Sequence, residues 1–472
     1  MALDRTATAR PRRRHRGRTI TSAALAGLVL AACGGVGGGG ARGPGAANPG
    51  GPTSGPVSGT LTTMGFGLPD EVAKSRIDAF RQQFPQVQLK VNEGAFDEQQ
   101  FLSAVAGGNP PNLVYLDREK VGTYAARGAL QPLDGCLRQV GLDMGQFRRP
   151  AVEQSTYQGA VYAVPEFTSV RLLLVNTAAA SEAGLSPTAV STADWERLAA
   201  QAQQLTKRSG GKLTRIGVDP KVPEFFPLWV RANGGSLLSP DGRTAALDSP
   251  QAVEALAFVQ RLVAAAGGYA DLKAFRDTFD FFGAKNEFAQ DQLGAMPMED
   301  WYLNVLAGAS PNAPVVVRPF LDRTGKPLTY ATGQAWAVPK GAGNLAAACQ
   351  FMKTMSATDT WVAAAKAKAT ARAAAGKPYT GTYTANIEAD RRIASEVYRP
   401  SGIAWLDEGV RVLQQAQGEA FSLPASPAGA EVKKAWTSAV NAVLEGRATP
   451  QEALSRAQQE AQQALDKAGK AG

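Results

Sequence analysis

"TLTTMGFGLPDEVAKSRIDAFRQQFPQVQLKVNEGAFDEQQFLSAVAGGNPPNLVYLD", residues 60–117, is the stretch that decides the fold. "TLTTM" is strand-like. In "EVAKSRIDAFRQQFP" the apolar residues Ala73, Ile77, Phe80 and Phe84 recur at helical spacing, and "VQLKV" sets Val87, Leu89 and Val91 at period two. "FDEQQFLSAVAGG" reads as a second helix, and "NLVYLD" is a nearly all-apolar run of the kind buried inside a parallel sheet. Strand, helix, strand, helix, strand predicts an α/β fold built on a doubly wound, mostly parallel sheet. Its ligand crevice should lie beyond the carboxyl ends of the strands.

From residue 60 onward about 400 residues remain, more than one hydrophobic core usually serves, so two lobes are expected. Upstream, residues 1–18 carry seven arginines against Asp4 alone, and the uncharged run 20–32 follows. Thirteen weakly apolar residues fall short of the ~20 that cross a bilayer as a helix, and residues 1–32 therefore read as an export leader. Leu30-Ala31-Ala32-Cys33 resembles the bacterial lipobox, which makes Cys33 the lipidated first residue of the mature chain, anchored to the outer face of the cell membrane. Residues 34–59, rich in Gly and Pro, cannot bury enough side chain to offset the entropy of ordering. They read as a tether of roughly 25–30 Å r.m.s. length.

The chain carries +9, of which the leader's seven arginines less one aspartate supply +6, leaving about +3. No dense Lys/Arg run remains, which sets nucleic acid aside as a partner. The single histidine, His15, lies in the leader, so Ser-His-Asp and Cys-His nucleophile systems, HExxH zinc sites and histidine proton shuttles are excluded from the mature chain. No GxxxxGK[ST] loop, Asp-rich calcium loop or Gly-x-Ser-x-Gly elbow occurs, and no cofactor is implied. Cys136 and Cys349 are too few for a zinc cluster; buried thiols are favoured over one disulfide.

"AFRQQFPQVQLKV", "NPPNLVYLD", "YAARGALQPLD", "YQGAVYAVPEFTSVRLLLVNTAA", "STADWERLAAQAQQLTK", "ANGGSLLSPDGRTAALDSPQAVEALAFVQRLV", "FAQDQLGAMPMEDW" and "GQAWAVPKGAGNLAAACQFMKTM" follow one another in that order. The series resembles the extracellular solute-binding proteins of ABC importers, in their family-1, sugar-binding branch, over about residues 60–420. The resemblance implies a two-lobed, type II periplasmic-binding-protein-like fold whose chain crosses between lobes and traps its ligand at the hinge. Lobe one is assigned to 60–165 plus 333–390, and lobe two to 166–332 plus 391–472. "AVYAVPEFTSVRLLLVN" is the first crossing, where Pro165 forbids a regular ladder bond, and "TYATGQAWAVP" the second. The implied protein is a monomeric, non-catalytic receptor that passes a carbohydrate to membrane permease subunits.

A sugar pocket should mix aromatic rings with polar groups. Trp301, after "GAMPMED" at a strand-to-helix junction, leads the candidates, and Trp336 follows the flexible "TGQ". Trp229 and Trp405 match segments that reach the cleft in relatives. Trp195 resembles a structural tryptophan of the family, and Trp361 and Trp436 read as packing residues on helices. Among polar groups, Asp117 ends "NLVYLD" and either faces the crevice or caps the next helix. Glu166, Thr168 and Arg171 follow the hinge proline, and Arg171 is either a ligand donor or an interlobe salt bridge. Asp300 adjoins Trp301 or caps its helix; Asn233 shares a helical face with Trp229 or caps that helix. Gly333 and Gln334 bring backbone and an amide to the cleft, and Phe66 lines its wall or packs in the core. "TWVAAAKAKATARAAAGKPYTGTY" is alanine-rich where relatives carry a proline-containing loop, so no contact is assigned there. Rival readings are a sensory or adaptor lipoprotein and a carbohydrate-acting enzyme, which needs two carboxylates spaced across a glycosidic bond.

Overall fold

The structure, a computed structural model, describes residues 57–471, and the leader, Cys33 and most of the tether lie outside them. Residues 60–117 form the strands Gly59–Met64, Val87–Asn92 and Leu113–Asp117 with the helices Glu71–Gln83 and Glu98–Ala106 between them. Asp70 and Asp97 start these helices by accepting from the backbone N–H of Ala73 and Gln100 at 2.9 and 2.8 Å. The three strands pair in parallel, with Gly59–Met64 in the middle. Gln334–Ala337 then pairs antiparallel with Leu113–Asp117, and Ala163–Pro165 closes the five-stranded sheet beyond it.

Alternation along these strands builds a core on each face. Leu61, Leu113 and Trp336 point to one side, where Ile77, Phe80 and Phe351 cover them. Val114, Leu116, Ala335 and Ala337 point to the other, against Phe101 and Tyr124.

A second five-stranded sheet, in the order Val315–Arg318, Arg171–Asn176, Leu293–Glu299, Lys212–Val218 and Lys207–Ser209, carries a core of its own. Arg171–Asn176 is buried at all six positions, as its unbroken apolar run requires. This sheet departs from the mostly parallel expectation: of its four pairings only that between Leu293–Glu299 and Lys212–Val218 is parallel. One pairing is a hairpin turned at Gly210 and Gly211, both at positive φ. The others follow from the hinge. Arg171–Asn176 starts at the crossing and must run away from it, while Leu293–Glu299 and Val315–Arg318 run back towards it. Gln334–Ala337 is antiparallel in the first sheet for the same reason.

The crossings lie side by side. Ser169 and Thr332 exchange backbone hydrogen bonds of 2.9 and 3.0 Å, and Glu166 N–H donates to Gln334 O at 3.1 Å, next to Pro165, which cannot donate. A Cβ at Gly333 would collide with the Phe167 carbonyl and the Arg118 guanidinium, so the close approach of the two crossings requires glycine there. Cys136 and Cys349 form a disulfide joining helix Asp134–Val140 to helix Leu345–Ser356. That corrects the preference for free thiols: 213 residues of sequence separation concealed Cα atoms 5.8 Å apart. Among the described residues no helix is long and apolar enough to cross a membrane.

Candidate functional site

The carboxyl ends of strands from both sheets meet at a cavity of about 600 Å³, within the ~300–1,000 Å³ range of small-ligand sites. Phe66 follows Gly59–Met64, Glu93 and Gly94 follow Val87–Asn92, and Glu166, Phe167, Thr168 and Ser169 follow Ala163–Pro165. From the second sheet, Leu293–Glu299 delivers Asp300 and Trp301. A larger groove, about 1430 Å³, lies between Arg148–Gly159 and Pro227–Arg243. No tryptophan lines it, so size alone does not make it the site.

The floor is an ion pair removed from water. Arg76 Nη2 lies 2.8 Å from Glu166 Oε1, with side chains 4% and 2% exposed. Glu166 also accepts from Tyr115 OH at 3.1 Å and from the Trp336 indole N–H. Burial, then the Glu166 charge, pushes the Tyr115 phenol well above its ordinary pKa, so it remains a donor. The Arg76 guanidinium sits 4.0 Å from the Trp361 ring centroid, and its Nη1 has no partner. Thr168 Oγ1, also on the wall, is buried and unpartnered.

Across the cavity, helix Trp301–Ala309 presents Trp301 and, three residues on, Asn304. Ser169 Oγ donates to Asp300 Oδ1 at 2.6 Å. Burial raises the Asp300 carboxyl to about 6, with the Ser169 bond and the Arg171 charge pulling the other way. The third wall comes from helix Thr358–Ala374 and the loop after it. Trp361 and Lys368 lie two turns apart on that helix, and Thr380, Gly381, Thr382 and Tyr383 complete the rim. Lys368 donates to Gly381 O at 3.3 Å, and burial lowers its pKa.

Of the candidates read from the sequence, the cavity brings together Phe66, Glu166, Thr168, Asp300 and Trp301. The others are placed elsewhere. Trp229 is fully buried in the second core against Phe258 and Phe320, its indole N–H donating to Pro220 O at 2.9 Å. Asn233 is the C-cap of that helix, tied to Gln251, Glu254 and Arg323. Trp336 stands behind the wall, touching the site through Glu166 and through the rings of Phe66 and Tyr115. Arg171 braces the hinge, donating to Ser169 O, Tyr330 O and Thr332 Oγ1 at 2.8–3.1 Å and pairing with Glu299 at 3.5 Å. Gln334 donates to Asp117 at 2.8 Å beside Gly333 at the second crossing, and Trp405 donates to Pro311 O and packs on the second core. Trp195 is buried too, stacked 4.2 Å from Phe258.

Sequence reasoning missed Arg76, Tyr115, Asn304, Trp361, Lys368 and the 380–383 loop. Arg76 was detectable: it sits on the apolar face with Ala73, Ile77 and Phe80, where an arginine needs a buried partner. Asn304 carries the i+3 signal from Trp301. The alanine-rich segment gave none, although Trp361, Lys368 and residues 380–383 line the cavity from it.

The architecture matches solved structures along nearly their whole length. CpMnBP1, solved with mannotriose bound, is 24% identical with a TM-score of 0.68, covering 85% of this chain and 99% of that one. A solute-binding protein of an ABC transporter from Thermotoga lettingae, bound with α-D-tagatose, is 22% identical with a TM-score of 0.66, covering 86% and 100%. The GacH receptor of Streptomyces glaucescens, solved unliganded and with acarbose, is 20% identical with a TM-score of 0.66, covering 87% and 99%. At these identities the likeness establishes the two-lobed fold. Residues 75–389, more than half the chain, match the family described as bacterial extracellular solute-binding protein. With that match, the chain belongs to the bacterial extracellular solute-binding proteins.

Proposed function

We propose that the cavity between the lobes binds a carbohydrate, which the protein hands unaltered to an ABC permease in the cell membrane. The observation that carries this reading is the composition of the walls. The rings of Phe66, Trp301 and Trp361 surround Asp300, Asn304, Thr168 and Thr380, so flat C–H faces and hydroxyls both find partners. The mannotriose, tagatose and acarbose complexes named for the structural neighbours support the same ligand class. Asp70, Glu93, Glu166 and Asp300 outnumber Arg76 and Lys368 on the walls, which favours neutral sugars over phosphosugars.

Residues 60–165 plus 333–390 and 166–332 plus 391–472 are the two halves that close on the ligand. The separate cores and the paired crossings support that division. The leader's charge pattern and Leu30-Ala31-Ala32-Cys33 support a lipoprotein held outside the membrane through Cys33. Calorimetric screening of mono- and oligosaccharides, polyols and phosphosugars, with product analysis, tests this. Binding of a neutral carbohydrate recovered intact is expected. No carbohydrate binding, or cleavage of a glycosidic bond, overturns it.

A further inference from the structure

Phe282 is 69% exposed and Trp301 42% exposed, and both stand on the second lobe where the cavity opens. Their rings are nearly parallel, at 15°, with centroids 6.1 Å apart. Trp301 lines the cavity and Phe282 does not, so an aromatic surface continues from the wall out past the rim.

The loop that carries Phe282 is held on both sides. Phe281 stacks on Tyr302 with centroids 4.5 Å apart, and the Tyr302 hydroxyl donates to Glu287 at 2.6 Å. Asn286, fully buried, donates to Gly283 O at 3.0 Å and to Ser310 Oγ at 2.6 Å. A loop anchored this firmly cannot fold the Phe282 ring inward, and an apolar ring fixed in water next to a binding wall marks a contact surface.

We propose that Phe282 and the outer part of the Trp301 ring form a second sugar subsite outside the cavity. The ligand is then a linear oligosaccharide with one end in the cavity and the next unit resting on Phe282. Lys221, whose ammonium lies 5.3 Å from the Phe281 ring centroid, supplies a donor for hydroxyls at the edge of this platform. The inference rests on the carbohydrate reading of the cavity.

The test is calorimetry of the full mature chain and its Phe282→Ala and Phe282→Tyr variants against two homologous series, mannose to mannotetraose and glucose to maltotetraose. In the wild type, affinity rises with chain length past the shortest binder. Phe282→Ala keeps the shortest binder within about twofold and loses roughly five- to ten-fold for the longer members. Phe282→Tyr retains both. Equal affinities in wild type and Phe282→Ala at every length overturn the subsite and leave the cavity reading standing. A uniform loss at every length also overturns it, assigning Phe282 to lobe closure. If neither series binds the wild type, the subsite falls as stated; binding of another carbohydrate in the wider screen spares the cavity reading, and binding of none removes both.

Discussion

The two walls of the cavity are built differently. On the first lobe's side, Arg76, Tyr115 and Trp336 close around Glu166, the first residue past the crossing, and pair its charge before any ligand arrives, with Arg76 Nη1 left over. On the second, Trp301 stands 42% exposed, and beyond it Phe282 69% exposed. A wall whose charges are already paired can orient a ligand without reorganising, whereas an uncovered aromatic wall gains its contacts only when the ligand or the opposite lobe arrives. The paired floor should therefore respond to mutation mainly in stability and the open aromatic wall mainly in affinity.

The largest effect should come from the floor. Glu166→Ala leaves Arg76 charged and buried without its partner, at a cost of about 3–5 kcal/mol in denaturant unfolding. If the Glu166→Ala loss is below ~1 kcal/mol, the floor is not the rigid element described. Trp229→Ala should cost about as much, roughly 3–5 kcal/mol, by opening a void in the second core. Its folded fraction should keep wild-type ligand affinity, since Trp229 stays clear of the cavity.

Asp300 gives an intermediate effect with a definite sign. Its carboxyl is raised to about 6 by burial, so its protonated form is the one the native state favours. The stability it contributes is fully present below about pH 4 and is lost as pH rises through about 6. Asp300→Asn should therefore match wild type at pH 4 and exceed it by up to about 2–3 kcal/mol at pH 7.5. Asp390 is raised to about 6 as well, again chiefly by burial, so the difference between variant and wild type, rather than the wild-type slope, isolates Asp300. A constant gap across this range would refute the assignment.

Trp301→Ala should lower oligosaccharide affinity roughly 10- to 100-fold, about 1.4–2.8 kcal/mol, while unfolding free energy moves by less than about 1 kcal/mol. Equal losses in both measurements would erase the contrast between the walls.

How much of this was legible in the sequence follows from what periodicity can carry. Period-two and period-3.6 patterns in residues 60–117 give the first strands and helices because each strand or helix buries a face of its own. The second sheet's direction was not legible, since it depends on where the chain crosses the hinge. Strand-end reasoning found Asp300, Trp301, Glu166 and Thr168, which the backbone itself carries to the crevice. It ranked Trp301 first but kept Trp229, Trp336 and Trp405 beside it: local context marks an aromatic residue near an element's end, and only tertiary packing decides whether a core closes over it. Trp361 and Lys368 were hidden because alanines give their helix almost no face, and it meets the cavity through packing against helix Glu71–Gln83, not through any local signal.

The central claim is that the solute sits between the paired floor of the first lobe and the open aromatic wall of the second. A crystal structure with the best-binding oligosaccharide tests it most directly. The account predicts sugar density in the 600 Å³ cavity, in contact with Trp301 and Trp361 and hydrogen-bonded to Asp300. Density in the groove between Arg148 and Arg231 instead, with the cavity filled only by water, would contradict it.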